Sequence, residues 1–290
     1  MLFRSKYFYV NYSWNDLVSA NLVNEDLVLV KGEIPQTDLY TTLNIKGDVE
    51  ITGHLCIKTS GAVSVSGTSS LLISDGVSIL NHGVVSMDGG NSRSINISAA
   101  EQSWSGITTY RNGILTCNGV KIDKATTGIQ IRGTAYVTNS EIKNCGTGIS
   151  IETGTPFTIS GNNIYMNSNG ILVSNNYTST SLAGIESNEI SENRVGILMY
   201  NSNTKVAYND IHNNTRSGIY LIRGSEPPIK GCIIRQTELN GLSRPEIVLE
   251  SDSYPILDDA QNDINTDGIG YSLYYDSNDG IRELMARNNY

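Results

Sequence analysis

Asn162-Asn163-Ile164-Tyr165-Met166-Asn167-Ser168-Asn169-Gly170-Ile171-Leu172-Val173 returns as Asn188-Glu189-Ile190-Ser191-Glu192-Asn193-Arg194-Val195-Gly196-Ile197-Leu198-Met199. It returns again, one residue longer, as Asn209-Asp210-Ile211-His212-Asn213-Asn214-Thr215-Arg216-Ser217-Gly218-Ile219-Tyr220-Leu221. Laid on the central isoleucine, the pattern extends both ways to six segments anchored at Ile122, Ile142, Ile164, Ile190, Ile211 and Ile234, spaced 20, 22, 26, 21 and 23 residues. Two residues ahead of the anchors stand Val120, Ser140, Asn162, Asn188, Asn209 and Cys232; six or seven after them come Gly128, Gly148, Gly170, Gly196, Gly218 and Gly241. An aliphatic residue follows each glycine, Leu242 being the last. Repeats of this length, made of short alternating strands and Asn/Gly turns, are the mark of a solenoid.

Stacked coils would place like residues in ladders at about 4.8 Å, isoleucines inside and asparagines in the turns. Asparagine amides so buried can bond to one another and to turn backbone. The glycine ahead of each Gly-Ile strand is expected to supply a turn conformation that a side chain would resist. The hand of parallel crossovers makes a right-handed coil the default. The expected fold is all-β: a right-handed parallel β-helix of about eleven coils, some 50 Å long at that spacing. Residues 1–42 form an irregular N-terminal cap and lead-in strand, with Trp14–Val23 as a short helix and Leu27–Val30 as a strand. Residues 43–290 form the helix, regular over 104–242, degenerate and acidic over 243–290. Ser243-Arg244-Pro245 breaks the template, since proline cannot donate to a ladder. The final Ala286–Tyr290 shows no obvious cap, so a longer protein is expected to continue it.

The formal charge is −9. Residues 1–237 carry 17 basic against 18 acidic side chains, and 238–290 carry 3 against 11. An acidic chain without a basic stripe argues against nucleic acid and against docking on anionic lipid. No run approaches the roughly 18 apolar residues of a membrane span, and the start lacks a signal-peptide core. Cys56, Cys117, Cys145 and Cys232 have no metal-ligand spacing, and the last three fall in three different columns, which predicts buried free thiols.

The repeat Asn-x-Ile…Asn…Gly-Ile-x-Ile resembles the parallel β-helix repeats of the pectate-lyase-like superfamily over residues 43–290. With Trp104-Ser105-Gly106-Ile107 early and Asn288-Asn289-Tyr290 late, it is most similar to bacterial extracellular β-helix proteins. The resemblance implies the fold and a secreted or cell-surface setting. It leaves function open, because such folds carry lyases, hydrolases, esterases, epimerases, phage tailspikes and non-catalytic surface proteins.

Three sets of residues are candidates for chemistry. In the columns flanking the anchors, Glu189 and Asp210 fall one coil apart, close enough for repulsion to raise one pKa, with His212 and Arg235 beside them. Such an acid/base constellation could cleave a glycoside; an ordinary polar face of mixed charge is the competing reading. No Tyr-Gly-x-Asp-Pro-His lyase or epimerase signature accompanies it. Asp263, Asn265 and Asp267 spell the first half of a calcium loop, but Tyr274 stands where a bidentate Glu is wanted, so no cofactor is expected and calcium is the one candidate. The same Asn265-Thr266-Asp267-Gly268 looks like a polygalacturonase motif without its partners, and reads as a degenerate turn. Finally, the outward columns of the Gly-Ile strands change from Gln130, Ser150, Arg132 and Glu152 to Leu172, Leu198, Tyr200, Tyr220 and Ile222. Such a patch is a ligand-binding candidate, its tyrosines able to stack on sugar rings, unless the long segment Ser174–Ala183 covers it or copies associate through it. The leading expectation is a non-catalytic extracellular scaffold contacting polysaccharide. The alternatives are a polysaccharide lyase or hydrolase, and a phage-tail or adhesin fragment, which alone predicts a trimer instead of a monomer.

Overall fold

The computed structural model describes residues 27–152, 156–176, 184–235, 237–239, 242–250, 252–257, 261–265 and 272–276. The proposed helix Trp14–Val23 and most of the proposed cap lie outside them. Strands begin at Leu27–Ile34 and Thr37–Leu39, which already pair in parallel with Thr42–Ile51 and Leu55–Ile57 of the next coil. Thr42–Ile51 then pairs with both Ala62–Ser66 and Ser69–Ile73, and from there one long strand becomes two short ones per coil. Among the described residues the strands form three stacked ladders. Two belong to a 19-stranded sheet, and the third is an 11-stranded sheet that includes the Gly-Ile strands.

The anchor isoleucines stack in the second ladder, Ile122 on Ile142, Ile164, Ile190, Ile211 and Ile234 in turn. Ile264 extends the column by one coil. All of these but the half-buried Ile264 are sealed from solvent, and each buried side chain contributes roughly 1.5–3 kcal/mol by leaving water. Trp104 and Phe157 are fully buried among them, and the Trp104 indole N–H donates to the Asp123 carbonyl at 3.0 Å. The four cysteines are free and buried.

Two asparagine ladders hold the corners. In the first, the Ser140 N–H donates to Asn162 Oδ1, Asn162 N–H to Asn188 Oδ1 and Asn188 N–H to Asn209 Oδ1, at 2.9–3.0 Å. Cys232 takes the next rung, its N–H donating to Asn262 Oδ1 at 2.9 Å. The second ladder runs from the Cys145 N–H through Asn167 and Asn193 to Asn214. Ahead of each ladder residue stands a left-handed one: Asn139, Gly161, Ser187 and Tyr208 at the first corner, Asn144, Met166, Glu192 and Asn213 at the second. The chain turns sharply there, and the amide satisfies the groups that the turn frees.

Two expectations change. Gly148, Gly170 and Gly196 do not have positive φ; a Cβ on Gly170 would instead lie 2.6 Å from the Gly196 carbonyl oxygen and 3.0 Å from Asn193 Nδ2. Glycine is needed there for close approach between coils. Leu242 also does not open a sixth strand of the Gly-Ile sheet: Leu242–Ser243 pairs antiparallel with Glu238–Leu239. Ile247 takes the place below Ile219, with Glu246 where the other coils have glycine. The antiparallel excursion before Pro245 displaced the register that the sequence pattern suggests.

Candidate functional site

The outward face of the second ladder carries the first candidate set. Glu189 pairs with Asp210, and His212 lies between Ser191 and Arg235. All four predicted residues therefore meet, in two crossed pairs. Arg235 grips Asp210 through Nη1–Oδ1 at 2.7 Å and Nη2–Oδ2 at 3.0 Å. His212 Nε2 stands 3.4 Å from Glu189 Oε1. Asp210 thus faces the Arg235 guanidinium and Glu189 the His212 ring, not only the other carboxylate. Asp210 and Arg235 are about a third exposed, so the pair is worth about 0–1 kcal/mol.

Two coils away the same face repeats this economy. Tyr165 Oη donates to Glu141 Oε1 at 2.8 Å, and Lys143 Nζ reaches Glu141 Oε1 at 2.9 Å and Tyr165 Oη at 3.2 Å. Burial works against the Glu141 charge, but hydrogen bonds from Lys143 and Tyr165 outweigh it and hold the carboxyl below the usual carboxylate range. The hydrogen bond to Glu141, then that to Tyr165, raises the Lys143 ammonium above its ordinary value. A carboxylate held ionised by two donors is a poor general acid.

The third sheet presents the other set. One outward column runs Thr108, Gln130, Ser150, Leu172, Leu198, Tyr220, Val248, Tyr274. The next runs Glu152, Ser174, Tyr200, Ile222. Glu152 closes the polar half, accepting from Gln130 Nε2 at 2.6 Å and Arg132 Nε at 2.8 Å. In the apolar half Leu172, Leu198, Tyr200 and Ile222 are half-buried and Tyr220 is buried. The guanidinium of Arg223 lies 4.6 Å from the Tyr200 ring centre, and that of Arg216 4.6 Å from the Tyr220 ring. Arginine planes thus occupy the ring faces that the sequence suggested for sugar. Tyr220 Oη accepts from Arg216 Nη2 at 3.0 Å and donates to Glu250. Burial, then the bond to Glu250, pushes the Tyr220 hydroxyl up to about 12. The open ring is Tyr274, 46% exposed, at the foot of the same column. Residues 177–183 of the proposed cover Ser174–Ala183 lie outside the described residues.

Beside Tyr220 a groove of about 590 Å³ is lined by Arg194, Arg216, Arg244, Val248, Glu250 and Tyr274, among others. Arg194, Arg216 and Arg244 each stand three residues ahead of a stacked isoleucine, Ile197, Ile219 and Ile247. The Arg216 N–H donates to the Arg194 carbonyl at 2.8 Å, as successive rungs do, while the Arg244 N–H donates to the Thr237 carbonyl at 2.8 Å. Three arginines thus line one groove on an acidic chain. Like charges one coil apart, about 4.8 Å, repel by roughly 0.9 kcal/mol even at the dielectric of water. Among the described residues none of the three is ion-paired. The sequence held the signal two residues before Gly196 and Gly218, but Glu246 in the glycine column hid the third arginine.

Asp263 and Asn265 are exposed in a strand paired with Ile233–Arg235. Asp267 lies outside the described residues. No helix among the described residues is long and apolar enough to cross a membrane, which says nothing of β-barrels.

Residues 127–243 match a family model described as a right handed beta helix region. The chain is a right-handed parallel β-helix. No curated protein matches the sequence. Among solved structures, the A-module of the Azotobacter vinelandii mannuronan C-5 epimerase AlgE6 is similar at 14% identity and a TM-score of 0.45, covering 86% of this chain and 88% of that one. The corresponding AlgE4 A-module is similar at 12% identity and 0.41, covering 86% and 90%. A double mutant of the periplasmic alginate epimerase AlgG is similar at 16% identity and 0.36, covering 83% and 75%. At these values the likenesses say nothing of activity.

Proposed function

We propose that this β-helix is a non-catalytic, secreted or cell-surface scaffold that contacts carbohydrate through the outward face of its third sheet. The observation that carries the reading is the contrast between the two faces. On the second ladder each candidate acid or base is paired with an opposite charge or a hydrogen-bond donor. On the third sheet the polar columns give way to Leu172, Leu198, Tyr200, Tyr220 and Ile222, ending in a groove with an exposed tyrosine. An exposed aromatic ring and half-buried aliphatic side chains beside a groove suit the C–H faces of sugar rings. Calcium has no part in this reading.

The test is turnover. Acidic and neutral polysaccharides incubated with the protein are expected to yield neither new reducing ends nor unsaturated-uronate absorbance. Activity that Asp210→Asn abolishes would overturn the scaffold reading in favour of a lyase or hydrolase centred on Glu189, Asp210 and His212.

A further inference from the structure

The geometry points to a specific ligand class: we infer that the groove beside Tyr274 binds an acidic saccharide whose carboxylate or sulfate groups are held by Arg194, Arg216 and Arg244. The inference rests on the scaffold reading and names the ligand for its groove.

Three features of the groove converge. Its basic wall is Arg194, Arg216 and Arg244: the coil register sets Arg216 next to Arg194, and the segment ahead of Pro245 brings Arg244 to the same groove. Planar guanidinium forks match carboxylate and sulfate oxygens bidentately, and an anion among them would relieve their mutual repulsion. The one carboxylate among the described lining residues, Glu250, already accepts the hydrogen bond of Tyr220. The floor and far wall are apolar and aromatic, from half-buried Val248 and exposed Tyr274, which stack in consecutive coils. A ligand that satisfies both walls carries anionic groups on one edge and an apolar face on another, as a uronate or sulfated sugar does. A net charge of −9 disfavours a long polyanion wrapping the whole surface, and three arginines are few for nucleic acid. The groove instead takes a short stretch of acidic chain lying along the solenoid axis.

Calorimetric titration at low salt with a uronate oligosaccharide, a sulfated oligosaccharide and a neutral oligosaccharide of equal length tests this. At least one acidic sugar is expected to bind about tenfold or more tightly than the neutral one, and affinity should fall as salt screens the arginines. Which acidic sugar binds separates carboxylate from sulfate recognition. Arg194→Gln with Arg244→Gln should weaken acidic binding about tenfold or more while the thermal melt stays in place; Arg216 is left intact because it stacks on Tyr220. Glu250→Gln, which keeps an acceptor for Tyr220, should tighten acidic binding, a change that structural damage would not produce. Equal binding of the neutral sugar, indifferent to the arginine variants, would overturn the anionic assignment while the carbohydrate scaffold stands. Binding of no saccharide would overturn both. A single-stranded oligonucleotide binding more tightly than either acidic sugar would also overturn the assignment.

Discussion

Asn188 shows at the scale of a residue why the corners hold. Its Oδ1 accepts from the Asn162 N–H and Nδ2, and its Nδ2 donates to the Ile159 and Glu186 carbonyls and to Asn209 Oδ1. Asn188→Ala would strand these groups in a dry interior, at about 1–3 kcal/mol for each left unsatisfied. We expect a loss of at least about 3 kcal/mol by urea unfolding; a loss below about 1 kcal/mol would show that water replaces the amide. Tyr220 adds a dependence on pH. With its hydroxyl at about 12 instead of the ordinary 10.0, the folded chain keeps the proton where the unfolded chain loses it. Stability from this group is complete below pH 10 and lost as pH rises toward 12. Tyr220→Phe should flatten the alkaline limb of the stability curve, and an unchanged limb would contradict the assignment.

Elements were legible in the sequence wherever a column repeats. The anchor isoleucines, both asparagine ladders and the outward columns of the Gly-Ile strands stack in the register their spacing implies. Register slipped at Leu242, because a Gly-aliphatic pair met the pattern while the chain made a hairpin and resumed at Ile247. The charge pairing of the candidate site was hidden for another reason. Columns say which residues are neighbours, but whether Asp210 faces Glu189 or Arg235 depends on side-chain direction. Glycine was found by pattern and explained wrongly: coil-to-coil approach, not φ, excludes a Cβ at Gly170. Gly170→Ala is therefore expected to cost about 1–3 kcal/mol through overpacking. Calorimetric melting would check it, and a neutral result would mean that the coils can separate locally.

At the scale of the whole molecule, regular stacking encodes a rod, and departures from regularity mark where it can act. The inward columns are spent on burial, and the second-ladder face pairs Asp210 with Arg235 and Glu141 with Lys143. The third-sheet face changes character along the axis, ending in a groove where Arg194, Arg216 and Arg244 meet Glu250 and Tyr274. The most direct measurement is the proton spectrum of an acidic polysaccharide incubated with the protein, because one spectrum reports cleavage, unsaturation and inversion of sugar stereochemistry alike. Binding without turnover predicts broadened but unshifted saccharide signals and no new resonances. New anomeric or olefinic signals that grow with time, and that Asp210→Asn abolishes, would contradict the account.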